Sequence, residues 1–132
     1  MVGQSLGSYF DGLQFGVGVS SGGEAILHAV NQLIEDRGSD VGLSMLLVDF
    51  QNAFNLVDRS VMLREVRRRC PGISRWVEFC YSNPARLYYG DQTLWSSQGV
   101  QQGDPLGPLL FALVLQPLVC KTKDTFDVCL QA

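Results

Sequence analysis

One carboxylate at the end of a long apolar stretch constrains this 132-residue chain more than any other feature. Residues 41–50 are mostly apolar and do not alternate with polar residues, which is typical of a β-strand covered on both faces. Asp49 lies at the C-terminal end of this stretch, and burying a carboxylate is costly unless a cation or hydrogen-bond donors contact it. The sequence therefore predicts a strand over residues 41–50 with Asp49 at its end. A metal ligand is one interpretation of this carboxylate, and a turn former or helix N-cap is the alternative that a single Asp after a strand favours by itself.

The size and composition of the chain indicate one domain with a hydrophobic core, because 46% of its 132 residues are hydrophobic. No signal peptide is recognisable, and the longest uninterrupted apolar run, residues 109–115, is too short to cross a bilayer. We expect a soluble, intracellular protein without membrane contact. The four cysteines form no CxxC pair, so we expect reduced structural thiols.

The charge pattern argues against a free-standing nucleic-acid-binding domain, because the formal net charge is -3. Nine of the ten Lys and Arg residues nevertheless follow Asp49, so a local patch facing phosphates is one interpretation. A solvated, charged helix face is the alternative that this pattern by itself favours. The candidate nucleic-acid-binding residues are Arg64, Arg67, Arg68 and Arg75.

Two helices are predicted in the first half of the chain. Residues 1–20 are rich in Gly and Ser and predict a loop, with a short strand over residues 13–19 as one option. Ser21 and Glu24 form a capping box, so a helix should begin there and end at Arg37, before Gly38. Asp58 is a candidate N-cap for a second helix that reaches Cys70, with Met62, Val66 and Cys70 on one buried stripe.

The second half predicts a helix, a hairpin and another helix. Ile73, Trp76, Val77 and Cys80 recur at helical spacing and predict one buried helix face. Residues 86–96 predict a β-hairpin that turns at Gly90 and Asp91. Asp104 and Pro105 predict the start of a helix that runs through Leu115 and kinks or ends at Pro117. This mixture of elements indicates one α+β domain over residues 1–132.

Two sequence boxes together resemble a known family. The first box is residues 46–55, LLVDFQNAFN, and the second is residues 98–108, QGVQQGDPLGP, about fifty residues later. They resemble neighbouring motifs of reverse transcriptases of the non-LTR retrotransposon and group II intron type. The resemblance covers roughly residues 14–119 and is strongest in the two boxes.

The resemblance implies part of the fingers and palm of a right-hand polymerase, with antiparallel palm strands packed on helices. Residues 1–40 would be the fingers-like segment and residues 41–132 the palm-like segment, incomplete at the C-terminus. The complete enzyme would be an RNA-directed DNA polymerase that uses an RNA template, a DNA primer and dNTP. Its cofactor would be Mg²⁺ or Mn²⁺.

The resemblance also implies roles for the first box. Asp49 would be catalytic and bind both metal ions, and the carbonyl of Phe50 would join the coordination. Phe54 would form the floor of the nucleotide pocket and exclude a ribose 2'-hydroxyl; its alternative is a core aromatic. The backbone N–H groups beside the triphosphate would belong to Phe50, Gln51, Asn52 and Ala53.

In the second box, Gln102 and Gly103 would lie against the templating base pair. Glycine permits close backbone approach, and an amide side chain can form hydrogen bonds without carrying charge. The alternative is an ordinary turn before a capped helix. Asp104 is interpreted as the helix cap and not as a metal ligand.

Two departures from the family pattern limit what this chain can do alone. Asn55 stands where the common form of the first box has Asp, and no Tyr-x-Asp-Asp box occurs in the sequence. Because one carboxylate cannot hold two metal ions, we expect the chain by itself to be inactive. The alternatives are a non-catalytic remnant with weak nucleic-acid binding and an unrelated α+β binding module.

Overall fold

The computed structural model describes residues 2–10 and 12–125, which form helices and one β-hairpin. The elements are α1 (Val2–Phe10), α2 (Gly22–Arg37), a short 3-10 helix (Ala53–Leu56), α3 (Arg59–Arg69), α4 (Pro71–Tyr81), β1 (Ala85–Tyr89), β2 (Gln92–Ser96) and α5 (Gly107–Thr125). Over these residues the hairpin is the only sheet. The assignment of these elements to the fingers and palm of a polymerase stays a prediction.

The hydrophobic core forms where α3 packs against α4 and α5. Five of its side chains are completely buried: Met62, Val66, Val77, Leu110 and Leu113. Burying a side chain of this size stabilises the fold by roughly 1.5–3 kcal/mol relative to its exposure. The α3–α5 packing therefore fixes the framework on which the loops between these helices rest.

The prediction for α3 is confirmed at its beginning and along its buried face. Oδ1 of Asp58 accepts hydrogen bonds from the backbone N–H groups of Ser60 at 2.8 Å and Val61 at 3.2 Å. The hydrogen bond from the Ser60 hydroxyl, followed by these backbone bonds, holds the pKa of Asp58 below its ordinary value. Met62 and Cys70 are buried, as the predicted stripe requires.

The prediction for α4 is confirmed in part. The helix forms with Pro71 in its first turn and buries Val77. Trp76 was assigned to the same buried face but is 62% exposed. Tyr81, which follows Val77 by one helical turn, is buried instead, because the core lies on the side of α4 that faces α3.

The predicted β-hairpin is confirmed, including its two-residue turn. The strands pair antiparallel, with Tyr89 opposite Gln92, so that Gly90 and Asp91 make the turn. Gly90 has φ of 56°, the left-handed conformation that two-residue hairpin turns require.

The strand predicted over residues 41–50 is wrong. After a turn at residues 41–42, the backbone through residue 50 has no regular secondary structure. Leu46 and Leu47 are 80% and 85% exposed. A strand requires a neighbour whose N–H and C=O groups pair with its own, and none of the described residues supplies one.

The beginning of the chain also differs from the prediction. Helix α1 forms where a loop was predicted, because Leu6 and Phe10, one helical turn apart, are both buried in the core. Residues 13–19 contain no strand. Helix α2 has the predicted extent, but Ser21 has φ of 53° and its side chain makes no capping hydrogen bond. The capping-box prediction is therefore wrong.

Helix α5 begins later and ends later than predicted. Its first residue is Gly107, and it continues through Pro117 to Thr125. Oδ1 of Asp104 accepts a hydrogen bond from the N–H of Leu106 at 2.8 Å, so Asp104 stabilises the turn before the helix. Residues 126–130 are a short apolar stretch, for which the sequence offers a strand as one option, and they lie outside the described residues.

Within the described ranges, every helix is too short or too polar to span a bilayer. Cys70, Cys80 and Cys120 are free thiols, and burial raises the pKa of the Cys70 thiol. A raised pKa keeps a thiol protonated and unreactive, as expected for a structural cysteine. Cys129 lies outside the described residues.

Candidate functional site

The two boxes meet through main-chain hydrogen bonds. The N–H of Gly99 donates to the carbonyl of Val57 at 2.9 Å, and the N–H of Val100 donates to the carbonyl of Phe54 at 2.7 Å. Such bonds fix the register of two chain segments, because each donor faces one acceptor. The end of the first box and the beginning of the second box therefore form one structural unit.

A side-chain hydrogen bond reinforces this contact. Nε2 of Gln98 donates to the carbonyl of Leu56 at 3.0 Å. We call residues 54–57 and 98–100 together the junction.

Gly99 is required for the close approach of the two segments. It has φ of 75°, and a Cβ atom there would overlap the backbone of Asn55, nearest to its carbonyl oxygen. The sequence interpretation assigned close backbone approach to Gly103 instead. The structure places the tight contact four residues earlier in the second box.

Phe54 and Phe50 both contact Phe111 of α5. The rings of Phe54 and Phe111 are stacked, with centroids 5.1 Å apart and an interplanar angle of 30°. Phe50 meets Phe111 edge to face, with centroids 6.4 Å apart. Phe54 remains 41% exposed, so it is not a buried core aromatic. The stack holds the Phe54 ring in a fixed orientation at the surface.

Asp49 lies in the exposed, irregular segment that precedes Phe50. The prediction that Asp49 lies at the end of a strand is therefore wrong. Across residues 2–10 and 12–125, no three His, Cys, Asp or Glu side chains are grouped so that they could hold a metal ion. The residues described here, with Asp49 as one carboxylate and Phe50 as one carbonyl, do not fit a two-metal site by themselves.

The segment predicted to border a triphosphate forms a tight turn. Asn52 has φ of 52°, and its carbonyl accepts hydrogen bonds from the N–H groups of Asn55 at 3.0 Å and Leu56 at 3.1 Å. Gln51 and Asn52 are exposed, and Ala53 is half-buried. The turn thus presents residues 51–52 to solvent immediately before the junction, and their anion-binding role stays a prediction.

Gln102 and Gly103 form the exposed tip of the loop after the junction. The N–H of Asp104 donates to the carbonyl of Gln101 at 3.2 Å, which closes a turn around the two residues. Gly103 has φ of 86°, and a Cβ atom there would meet no other atom within 4 Å. The Gln102–Gly103 step is therefore accessible from solvent.

Arg59 is a functional candidate that the sequence interpretation missed. It is only 7% exposed, and its guanidinium donates to the carbonyls of Ser96 at 2.7 Å and Gly99 at 2.9 Å. It also donates to the carbonyl of Gln98 at 3.2 Å and to the Ser96 hydroxyl at 2.8 Å. One sequence signal was available. A cation in the first turn of a helix is unfavourable next to the positive end of the helix dipole, so an Arg at this position indicates a contact outside the helix.

Tyr81 is the second residue that was missed. Its hydroxyl accepts a hydrogen bond from the N–H of Gln101 at 3.2 Å and donates to Oδ2 of Asp104. Burial, with the Asp104 hydrogen bond as the next cause, raises the pKa of Tyr81 to about 12. The Arg59 guanidinium carbon lies 5.3 Å from the centre of the Tyr81 ring. No sequence signal distinguishes Tyr81 from an ordinary core tyrosine.

Three of the four arginines proposed for nucleic-acid binding have acidic partners. Arg64 and Arg68 lie 3.4 Å and 3.8 Å from the carboxylate of Glu65, and Arg67 lies 2.5 Å from that of Glu78. These pairs neutralise part of the positive charge that phosphates would meet. Arg75 is exposed on α4. These contacts favour the alternative interpretation, a solvated charged helix face.

Two apolar grooves border the first box on the side of α5. The larger has a volume of about 530 Å³ and is lined partly by Val48, Phe50 and Leu115; the smaller has about 310 Å³ and shares Phe50 and Leu115. Asp49 is not part of either lining. The apolar surface next to the first box is therefore separate from its carboxylate.

Comparison with known proteins gives one informative similarity. The chain is 33% identical, over 89 residues, to a Retrovirus-related Pol polyprotein from type-1 retrotransposable element R2 of Popillia japonica. The aligned region is 62% of this chain and 12% of that relative, so the chain spans a small part of the relative's length. No family model matches the chain, and no solved structure matches it. The chain therefore has a retrotransposon-related origin.

Proposed function

We propose that this chain is a segment of an RNA-directed DNA polymerase and contributes the nucleotide-facing part of its active site. The observation that carries the proposal is the junction, where two boxes about fifty residues apart in sequence meet by backbone hydrogen bonds. The similarity to a retrotransposon Pol polyprotein supports the same conclusion. In this proposal the template is RNA, the primer is DNA and the incoming substrate is dNTP.

The proposal assigns the nucleotide floor to Phe54. Its ring stacks on Phe111 and keeps 41% of its surface exposed, so one side is held while the other is free. A rigid aromatic surface can exclude a substituent by steric contact, because the ring cannot move away without losing its stacking. This supports a role in rejecting a ribose 2'-hydroxyl.

The proposal places Gln102 and Gly103 against the templating base pair. Both are exposed at the tip of a turn, and the Gln102 side chain can donate and accept hydrogen bonds without carrying charge. Their distance from the junction along the chain is short, so the floor and the template contact would lie on neighbouring loops.

Metal chemistry belongs to the complete enzyme in this proposal. Asp49 and the Phe50 carbonyl would contribute to a site for Mg²⁺ or Mn²⁺ that needs further carboxylates from outside this chain. The described residues do not assemble such a group. Nucleotidyl transfer is therefore proposed only for the completed protein.

The alternative function is a non-catalytic remnant that binds nucleic acid weakly. The exposed, unpaired Leu46 and Leu47 favour it, because an intact palm would cover this segment. The Arg–Glu pairs on α3 and α4 argue that any such binding is weak.

Primer extension tests the proposal. The chain, extended at its C-terminus by its own reading frame, should extend an RNA-templated DNA primer with Mg²⁺, whereas the 132-residue chain alone should not. Asp49→Asn in the extended protein should reduce the rate by at least about a hundred-fold, as is usual when an essential electrostatic group is removed.

Asp91→Asn is the matched control, because Asp91 is an exposed carboxylate in the hairpin turn. It should leave extension unchanged. If Asp49→Asn and Asp91→Asn proteins extend primers equally well, the role of Asp49 is wrong. If the extended protein shows no extension at all, the remnant interpretation replaces the polymerase interpretation.

A further inference from the structure

Arg59 is a buried cation whose hydrogen-bond partners all lie within residues 96–99, at the end of β2 and in the loop that follows it. Its side chain contacts the carbonyls of residues 96, 98 and 99 and the Ser96 hydroxyl. The ion pairs within residues 2–10 and 12–125 involve other arginines, so no described carboxylate balances its charge. Burying a cation is costly unless polar groups surround it. The loop carbonyls therefore provide its solvation.

The geometry of these contacts suits arginine and no other residue. A guanidinium has five N–H donors in a rigid plane, so one side chain can bind several carbonyls that converge from different directions. A lysine ammonium is a point charge on a flexible stem and cannot span the same set at once. Gln98 and Gly99 lie beyond the end of β2, where no strand of the described residues pairs with them, and Arg59 supplies hydrogen-bond donors to their carbonyls.

Tyr81 holds the other half of the loop. Its hydroxyl binds the N–H of Gln101 and the carboxylate of Asp104, while its ring lies under the Arg59 guanidinium. Between the two anchors, Val100 is fixed to Phe54 through the backbone. The Gln102–Gly103 step lies at the exposed tip, outside these contacts.

From this arrangement we infer that Arg59 is a positioning residue that, together with Tyr81, holds the loop over residues 96–104 so that Gln102 and Gly103 project from the junction. The positioning itself follows from the contacts. What Gln102 and Gly103 then bind rests on the proposed function. In this inference Arg59 acts through its contacts with the loop and not by binding a ligand.

Amide hydrogen exchange on the 132-residue chain tests the inference. The reporter amides are those of Gly99, Val100 and Gln101, which are hydrogen-bonded in the loop, and the reference amides are those of Cys70 and Ser82, which are hydrogen-bonded at helix ends. Arg59→Met should raise exchange at the reporters at least about ten-fold relative to the references, because loss of the anchor opens the loop locally.

Arg69→Met is the matched control. Arg69 lies on the same helix, but its guanidinium carbon lies 4.1 Å from the centre of the Tyr9 ring and not against the loop. This variant should leave the ratio of reporter to reference exchange unchanged. An unchanged ratio in Arg59→Met would overturn the inference, because the loop would then not depend on Arg59. An equal rise at the reporters and the references would also overturn it, because a general loss of stability affects both sets.

Arg59→Lys keeps the inference testable if Arg59→Met does not fold. It retains the charge and loses the planar fork, so the reporters should still exchange faster than the references, by a smaller factor. A ratio equal to that of the unmodified chain would overturn the inference. Amide exchange needs neither nucleotide nor metal, so the two tests can fail separately. Failure of primer extension would reject the proposed function, and the exchange ratio would still test the role of Arg59.

Discussion

The first box divides into two regions that differ sharply in their environment. Its end, in the junction, is held by the backbone hydrogen bond from Val100 to Phe54 and by the Phe54–Phe111 stack. Its beginning, at Leu46 and Leu47, is irregular and more than three-quarters exposed, at 80% and 85%. Both regions belong to one ten-residue box and contain large apolar side chains, so the presence of apolar residues alone does not determine order.

The difference lies in the backbone partners. The carbonyls of Phe54 and Val57 accept hydrogen bonds from N–H groups of the second box, whereas residues 43–50 have no partner strand among the described residues. An extended apolar segment with unpaired N–H and C=O groups is a site where another chain can add. The junction is thus held by backbone hydrogen bonds, and the preceding segment has no partner strand within residues 2–10 and 12–125.

The largest effect on the junction is expected from Gly99→Ala. The added Cβ would overlap the Asn55 backbone at a left-handed φ of 75°. Strain and overpacking together should lower the free energy of unfolding by about 3 kcal/mol. Urea denaturation of the purified variant measures this loss.

Gly103→Ala is the control for backbone conformation. Gly103 has φ of 86°, but open space surrounds the position. The free energy of unfolding should therefore fall by only about 1 kcal/mol, which is the strain of an alanine in the left-handed conformation. Equal losses for the two variants would show that the segments do not approach closely at Gly99.

An intermediate effect is expected from Tyr81→Phe. Removing the hydroxyl leaves Gln101 N–H and the Asp104 carboxylate without their partner, which should cost about 1–3 kcal/mol at pH 7. Thermal or urea unfolding of the variant and of the unmodified chain at the same pH provides the measurement.

The same residue predicts a dependence on alkaline pH. The pKa of Tyr81 is raised to about 12 in the folded state, above its ordinary value of 10.0, with Asp104 and Arg59 as the charged groups facing it. Its contribution to stability is complete below pH 10 and is lost as the pH rises from 10 towards 12, by at most about 1.4 kcal/mol per pH unit. The difference in unfolding free energy between the unmodified chain and Tyr81→Phe should shrink over that interval. A constant difference up to pH 12 would contradict the raised pKa.

The smallest effect is expected in the apolar segment. Leu47→Ser changes an 85% exposed side chain, so the free energy of unfolding should change by less than about 0.5 kcal/mol. Light scattering should show less association of the variant, because the exposed apolar edge is reduced. A loss of more than about 1 kcal/mol would mean that Leu47 is packed and that the comparison of the two regions is wrong.

The candidate site was predictable from sequence only in outline. The two boxes and their residues were recognised, but close backbone approach was assigned to Gly103 and not to Gly99. Arg59 and Tyr81 were not identified at all, because hydrogen bonds to main-chain carbonyls leave no residue pattern in the sequence. Such partners are set by where a loop passes in three dimensions.

The sequence by itself determined the local elements of this protein. The Asp58 cap, the stripe through Met62 and the Gly90–Asp91 turn depend on residues within one or two turns of each other, and each formed as predicted. Only the tertiary structure decided which segments are ordered by distant contacts. It gave α1 a core to pack on, brought Gly99 against Asn55, and left residues 43–50 without a partner strand among the described residues, because a strand or a close approach exists only where a second segment supplies the matching backbone groups.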